Sequence, residues 1–226
     1  MSLEENKIYA LMGSNGAGKT TLFNLITGFI KPQSGEVILS GKDITQQQSF
    51  KTNQHGIGRT FQNLRLITKL TVKQNVILAM QYNQTDNYIN AIMPAFFYNK
   101  TNSVMEKAAN DIIDQFFLGD VVNSLASEIS YGQQKLLSLA CCVSNGAILL
   151  LLDEAVAGIQ PEYRNKIAML IKQLKTQDKT ILLIEHNTDF IAEVADKIFF
   201  LDGGIISTFE TMETLRNDKQ IINAYI

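Results

Sequence analysis

The chain has little of what would mark a secreted, membrane-spanning or nucleic-acid-binding protein. Its only cysteines, Cys141 and Cys142, are adjacent. They have neither metal-ligand spacing nor a disulfide partner, so a reducing compartment and a role as small helix-core residues are expected. Twenty basic against 22 acidic side chains leave a formal net charge of −2. That balance gives no reason to expect a nucleic-acid partner, which usually demands a basic face. No charged-then-apolar leader opens the chain, and apolar runs such as AILLLL fall far short of the roughly 20 residues that span a bilayer. Any membrane role is therefore expected to be peripheral. Internal repeats, low-complexity tracts and Pro/Gly/Ser-rich linkers are missing too, the nearest to one being the polar QYNQTDNYIN after Met80.

With 226 residues, 46% of them hydrophobic and 19% charged, the chain can build one sizeable globular domain with a subdomain budded from it. KIYALM reads as a short buried strand, GSNGAGK as a loop and TTLFNLITG as a helix closed by Gly28. EVIL followed by SGKDI suggests a hairpin and GIGRTF another strand, so a small β layer is expected beside this first unit. From Thr71 to Val143 the pattern turns helical: VKQNVILAM, then VMEKAANDIIDQFF with an apolar stripe at Val104, Ala108, Ile112 and Phe116, then GQQKLLSLACCV. Afterwards apolar strands (AILLLL, TILLIE, KIFFL, IISTFE) alternate with helices (PEYRNKIAMLIKQLK, and one around TDFIAEVA). Unbroken apolar strands separated by helices imply a largely parallel sheet covered on both faces. With the loop GSNGAGKT, which fits G-x-x-x-x-G-K-[ST], set between the first strand and helix, the expected fold is α/β, of P-loop NTPase type, with a small flanking antiparallel β layer and an inserted helical subdomain. We place its boundaries at 1–62 and 147–226 for the core and 63–146 for the insertion.

Four stretches carry chemistry. Gly13, Ser14, Asn15, Gly16, Ala17, Gly18, Lys19 and Thr20 fit G-x-x-x-x-G-K-[ST] at every fixed position, and Thr21 follows. Such a loop turns successive N–H groups inward around phosphates, with Lys19 reaching the β and γ oxygens and Thr20 offering its hydroxyl to Mg²⁺. ILLLLDE ends an apolar strand in two carboxylates, at the strand edge where α/β sheets place ligands. Side-chain alternation sends Asp153 toward a metal, through water, and Glu154 toward the attacking water as general base. TILLIEH delivers His186 to the same edge, within reach of the γ-phosphate, and Gln62 at the end of GIGRTFQ can touch Mg²⁺ or the lytic water.

GSNGAGKT, Gln62, SYGQQ, ILLLLDE and His186, in that order, resemble the nucleotide-binding domain of an ABC transporter, and the similarity runs along essentially the whole chain. RTFQNLRLITKLTVKQNV, AVAGIQPE, LLIEHNTDF and the closing INAYI most resemble the ATP-binding subunits of branched-chain amino acid importers. The resemblance implies a Mg-dependent ATPase that powers transport. It implies a head-to-tail dimer with an identical or paralogous subunit, in which Ser130, Tyr131, Gly132 and Gln133 close over the partner's ATP. It also implies membrane permease subunits and a place on the inner face of the cell membrane. Other readings stay open: the ATPase of a related exporter, a non-transport ATPase acting on DNA or ribosomes, or a scaffold that binds nucleotide without turnover. Ala155 stands where the family usually has proline, and KLLSLACC where arginines and alanines are usual; neither touches the proposed chemistry. Only twelve residues, opening with MSL, precede Gly13. Against the family pattern this suggests a shortened N-terminus, without an early strand and an adenine-stacking aromatic. Tyr9 is expected to face the core and not to substitute for it.

Overall fold

The structure, a computed structural model, describes residues 1–62, 64–81, 95–218 and 221. Most of QYNQTDNYIN and the closing INAYI lie outside the described residues. The chain divides into two compact units, Met1–Gln62 with Ile148–Ile226, and Asn63–Ala147.

The first unit is built on a sheet of six strands: β1 (Ile8–Met12), β4 (Ile57–Arg59), β5 (Leu149–Asp153), β6 (Thr180–Ile184), β7 (Lys197–Asp202) and β8 (Ile205–Phe209). Their order is β4-β5-β6-β1-β7-β8, all parallel except for the antiparallel β7–β8 pair. Every residue of β1 and β5 is buried, as expected of strands covered on both faces. One face packs Tyr9, Leu11, Leu151, Leu182, Ile184, Phe199 and Leu201 around Phe23 of helix α1 (Lys19–Ile26). At about 1.5–3 kcal/mol per fully buried side chain of this size, that layer anchors the strand ends from which the functional loops spring. Tyr9 does face the core: it is 1% exposed and stacks on Phe199 with ring centroids 5.2 Å apart. Helices α6 (Pro161–Thr176) and α7 (Thr188–Val194) form where the periodicity predicts them, each ending within one residue of the expected end, with Pro161 in the first turn of α6.

The hairpin forms as a separate two-stranded sheet, β2 (Ile38–Leu39) against β3 (Lys42–Asp43), followed by the short α2 (Ser49–Thr52). GIGRTF, however, does not join that layer. Its residues Ile57–Arg59 pair in parallel with Leu149–Leu151 at the edge of the main sheet. Ile57 and Gly58 are buried, an environment the exposed hairpin does not offer. A closing helix, α8 (Met212–Arg216), was not anticipated, although Thr211 and Thr214 form a capping box across its start.

The second unit contains α3 (Val72–Gln81), α4 (Ala95–Gln115) and α5 (Tyr131–Ser144). The buried stripe of α4 is Met105, Ala109 and Ile113; of the predicted residues Val104 is 65% exposed and Ala108 and Ile112 are only partly buried, whereas Phe116, just past the helix end, is fully buried as expected. Both stripes recur at four-residue intervals, so periodicity alone left the choice to packing. Asn75 of α3 is buried and binds its own N-terminal loop. Its Oδ1 accepts the Ile67 N–H at 3.0 Å, while its Nδ2 donates to the carbonyls of Ile67, Leu70 and Thr71. Backbone bonds from Val72 to Ser124 and from Ala126 to Leu70 zip this loop to the segment that leads into α5.

Candidate functional site

The loop between β1 and α1 spans residues 13–18 and has the shape of a phosphate cradle. Gly13 has φ 150°, and a Cβ there would stand 2.3 Å from the Leu201 carbonyl oxygen, so only glycine fits beside β7. Gly18 is the N-cap of α1 at φ 103°, a conformation L side chains rarely adopt, and no side chain caps the helix. The first N–H groups of α1 are thus left for an anion. Ser14, Asn15 and Gly16 are exposed, Ala17 is half-buried with its N–H on the Ser14 carbonyl, and Thr20 and Thr21 are exposed on the first turn. Lys19 is buried and its Nζ donates to the Gly13 carbonyl at 2.7 Å and the Ser14 carbonyl at 2.9 Å. Burial pushes the Lys19 ammonium below its ordinary pKa, while Glu154 and then Asp153 pull it back up.

Reading along the sheet from β4 through β5 and β6 to β1, the carboxyl ends deliver Gln62, then Asp153 and Glu154, then Glu185 and His186, then the cradle. Glu154 leaves the strand in a left-handed turn, φ 50°, with its N–H on the Ile184 carbonyl at 2.9 Å. Its Oε2 accepts the Gln62 amide at 3.0 Å, and its Oε1 lies 3.7 Å from His186 Nε2. Three predicted residues from three strands therefore meet at one carboxylate. Half-exposed His186 and exposed Gln62 border solvent, where a substrate can reach them.

Asp153 turns the other way. It is buried, its backbone N–H donates to Thr60 Oγ1, and its Oδ2 lies 3.8 Å from Arg59 Nη2. Arg59 was missed in the sequence, where it reads as one more residue of a strand. Its guanidinium donates to Asn24 Oδ1 at 2.8 Å and Thr27 Oγ1 at 3.0 Å and lies over the rings of Phe61, Phe23 and Phe29. Asp153 and Arg59 thus share a buried pocket, in which the guanidinium balances the carboxylate charge. Among the described residues no group of three or more His, Cys, Asp or Glu side chains could hold a metal ion. The candidate set of Thr20 hydroxyl, Gln62 amide oxygen and Asp153 carboxylate is all oxygen, the donor type a hard cation such as Mg²⁺ takes.

In the second unit, SYGQQ opens α5. Ser130 Oγ accepts the Gln133 N–H at 3.3 Å and Gln133 Oε1 accepts the Ser130 N–H at 2.9 Å, a capping box. Tyr131 is exposed, Gly132 is buried, and Gln134 anchors the helix start by donating to the Ala126 and Ile129 carbonyls.

A Gly-rich cradle on a strand–loop–helix unit, with acids at the neighbouring strand ends, defines a P-loop nucleotide-binding protein. The family model for ABC transporters matches residues 1–157, and the chain belongs to that family. It is 33% identical to the high-affinity branched-chain amino acid transport ATP-binding protein BraF of Pseudomonas aeruginosa, over all of this chain and 89% of that protein. It is 31% identical to the corresponding protein LivG of Salmonella typhimurium, with the same coverage. Among solved structures, an ATP-binding cassette of an ABC transporter in its ADP conformation superposes with a TM-score of 0.83 at 28% identity, covering all of this chain and 89% of that one. Among the described residues no helix is long and apolar enough to cross a membrane.

Proposed function

We propose that this chain is the ATP-hydrolysing subunit of an importer for branched-chain or related amino acids. The observation that carries the hydrolytic part is the meeting of Gln62, Glu154 and His186 beside the Lys19 cradle. The transport part rests on the likeness to BraF and LivG over the whole chain. Residues 63–146 are read as the helical signature subdomain, inserted between the two parts of the core.

In this reading the N–H groups of residues 13–18 and the Lys19 ammonium hold the β and γ phosphates of ATP, against which Lys19 exchanges its two carbonyl partners. Glu154 takes a proton from the attacking water, His186 donates a hydrogen bond to the γ-phosphate, and Gln62 holds the Glu154 carboxylate in place. Thr20, Gln62 and, through water, Asp153 would hold Mg²⁺, which when bound neutralises phosphate charge. Ser130, Tyr131, Gly132 and Gln133 would close over the nucleotide of a second, identical or paralogous subunit. A pocket completed only when two subunits meet turns ATP binding and hydrolysis into closing and opening strokes. Permease subunits at the inner face of the membrane would receive those strokes.

The test pairs hydrolysis with uptake. Vesicles carrying this chain with its permease and substrate-binding partners should take up labelled leucine, isoleucine or valine on addition of Mg-ATP, and Lys19→Ala should abolish both uptake and phosphate release. Phosphate release without uptake of any of the three would remove the amino-acid assignment while leaving the ATPase standing.

A further inference from the structure

We propose that Glu185 is a positioning residue for hydrolysis. Its carboxylate fixes the turn that begins at Glu154 and so sets where Glu154 stands relative to His186 and Gln62. This rests on the reading of Glu154 as general base.

The turn needs outside support. Glu154 sits at φ 50°, a conformation a residue with a Cβ adopts only when its surroundings impose it. The bond within the turn, from the Ala157 N–H to the Glu154 carbonyl, is long at 3.3 Å. Two shorter bonds come from the end of β6. The Ile184 carbonyl accepts the Glu154 N–H at 2.9 Å, and Glu185 Oε1 accepts the Val156 N–H at 2.8 Å. The first is an ordinary continuation of the β5–β6 ladder and is made by backbone whatever residue follows. The second is made by one side chain.

That side chain is an unusual one to bury. Glu185 is 3% exposed, and a carboxylate removed from water is costly unless it accepts hydrogen bonds. An apolar residue would fill the place between β6 and the turn without that cost. Glu185 also immediately precedes His186, so a single two-residue unit carries both a group aimed at Glu154 and the anchor of the turn that bears Glu154. Glu154, Val156, Glu185 and His186 line one cleft. When the anchor is lost, the turn is held at the Glu154 N–H but no longer at the Val156 N–H, and the carboxylate loses part of the placement that general-base catalysis requires.

The experiment compares wild type with Glu185→Ala, Glu185→Gln, Glu185→Asp and Glu154→Gln. It measures kcat and KM for phosphate release from Mg-ATP, together with nucleotide affinity and thermal unfolding. Glu185→Ala should lower kcat about ten- to hundredfold with KM nearly unchanged, because the cradle holding ATP does not involve Glu185. Glu185→Gln keeps the shape and an acceptor oxygen and should restore most of the rate. Glu185→Asp keeps the charge but falls short of the Val156 N–H, and should lose rate like alanine even if the alanine variant does not fold. Wild-type kcat in Glu185→Asp, or equal losses in the Gln and Asp variants that track their unfolding temperatures, would overturn the proposal. Wild-type turnover by Glu154→Gln would instead overturn the assignment of the base itself.

Discussion

Gln62 and Glu154 are 92 positions apart in the chain, yet the Gln62 amide donates to Glu154 Oε2 at 3.0 Å. With His186 Nε2 3.7 Å from the other oxygen, both faces of the carboxylate are occupied by groups that can also hydrogen-bond a substrate. One hydrogen bond thus restrains the carboxylate, with the imidazole beside it, at a site open to solvent.

Glu154→Gln should bind Mg-ATP with near-normal affinity and lose about 10²–10⁴ of its hydrolysis rate, because an amide keeps the shape but cannot take a proton. Phosphate release measured beside nucleotide titration checks both halves. Turnover at the wild-type rate would remove Glu154 from its role.

Gly13 and Gly16 both have positive φ, but their surroundings differ. A Cβ at Gly13 meets the Leu201 carbonyl oxygen at 2.3 Å, whereas one at Gly16 meets nothing within 4 Å. Gly16→Ala should cost only the backbone strain, about 1–2 kcal/mol, and Gly13→Ala clearly more, with loss of nucleotide binding. Urea denaturation of the two variants decides the order; equal destabilisation would mean that β7 yields to the added methyl group.

Asn75 lets its variants separate acceptor from donor. Asn75→Ala removes the acceptor of the Ile67 N–H and the donor to three carbonyls from a buried place, and should destabilise by about 2–3 kcal/mol. Asn75→Asp keeps the acceptor but sets a carboxylate against those carbonyls, so it should be at least as damaging at neutral pH. An Asp variant as stable as wild type would show that the carbonyl contacts contribute nothing.

The proposed composite pocket predicts complementation. Lys19→Ala and Ser130→Arg should each be inactive, since one damages the cradle and the other the capping residue of α5. In a mixed dimer one pocket carries both lesions and the other carries neither. Mixing the two variants with Mg-ATP should restore part of the phosphate release, and no recovery at any ratio would count against a pocket shared between subunits.

The adjacent thiols should be inert. Burial pushes Cys141 up to about 12, and burial with its neighbour pushes Cys142 up to about 12 as well. At pH 8 the thiolate fraction is then on the order of 10⁻⁴. Because Cys142 is buried and Cys141 half-buried, a chromogenic disulfide reagent should leave Cys142 unreacted in the native protein and titrate two thiols after denaturation. Fast native labelling of Cys142 would show that α5 opens on its own.

The cradle was legible because its chemistry is local. Eight consecutive residues, Gly13 to Thr20, contain the turn, the N–H groups, the cation and the hydroxyl, and the strand before and helix after them follow from hydrophobic periodicity. Glu154 and His186 could be picked out because each follows an apolar strand and so lands at a sheet edge. Arg59 and Glu185 could not. One reads as a strand residue and the other as the end of TILLIE, and what singles them out is burial beside Asp153 and the Val156 N–H. The α4 face was read one position early at Val104, Ala108 and Ile112, though not at Phe116, because both candidate stripes have four-residue spacing, and the buried one is decided by what the helix packs on.

By itself, then, the sequence determined the main strands and helices, the phosphate-loop motif and the candidate residues around it, since these depend on side-chain chemistry and short-range spacing. The tertiary structure alone supplied the direct contact between Gln62 and Glu154. Parallel pairing of Ile57–Arg59 with Leu149–Leu151, against the expectation of a separate β layer, is what carries Gln62 to Glu154. That pairing is selected by burial of both strand faces in a shared core, a long-range free-energy term that no window of neighbouring residues contains.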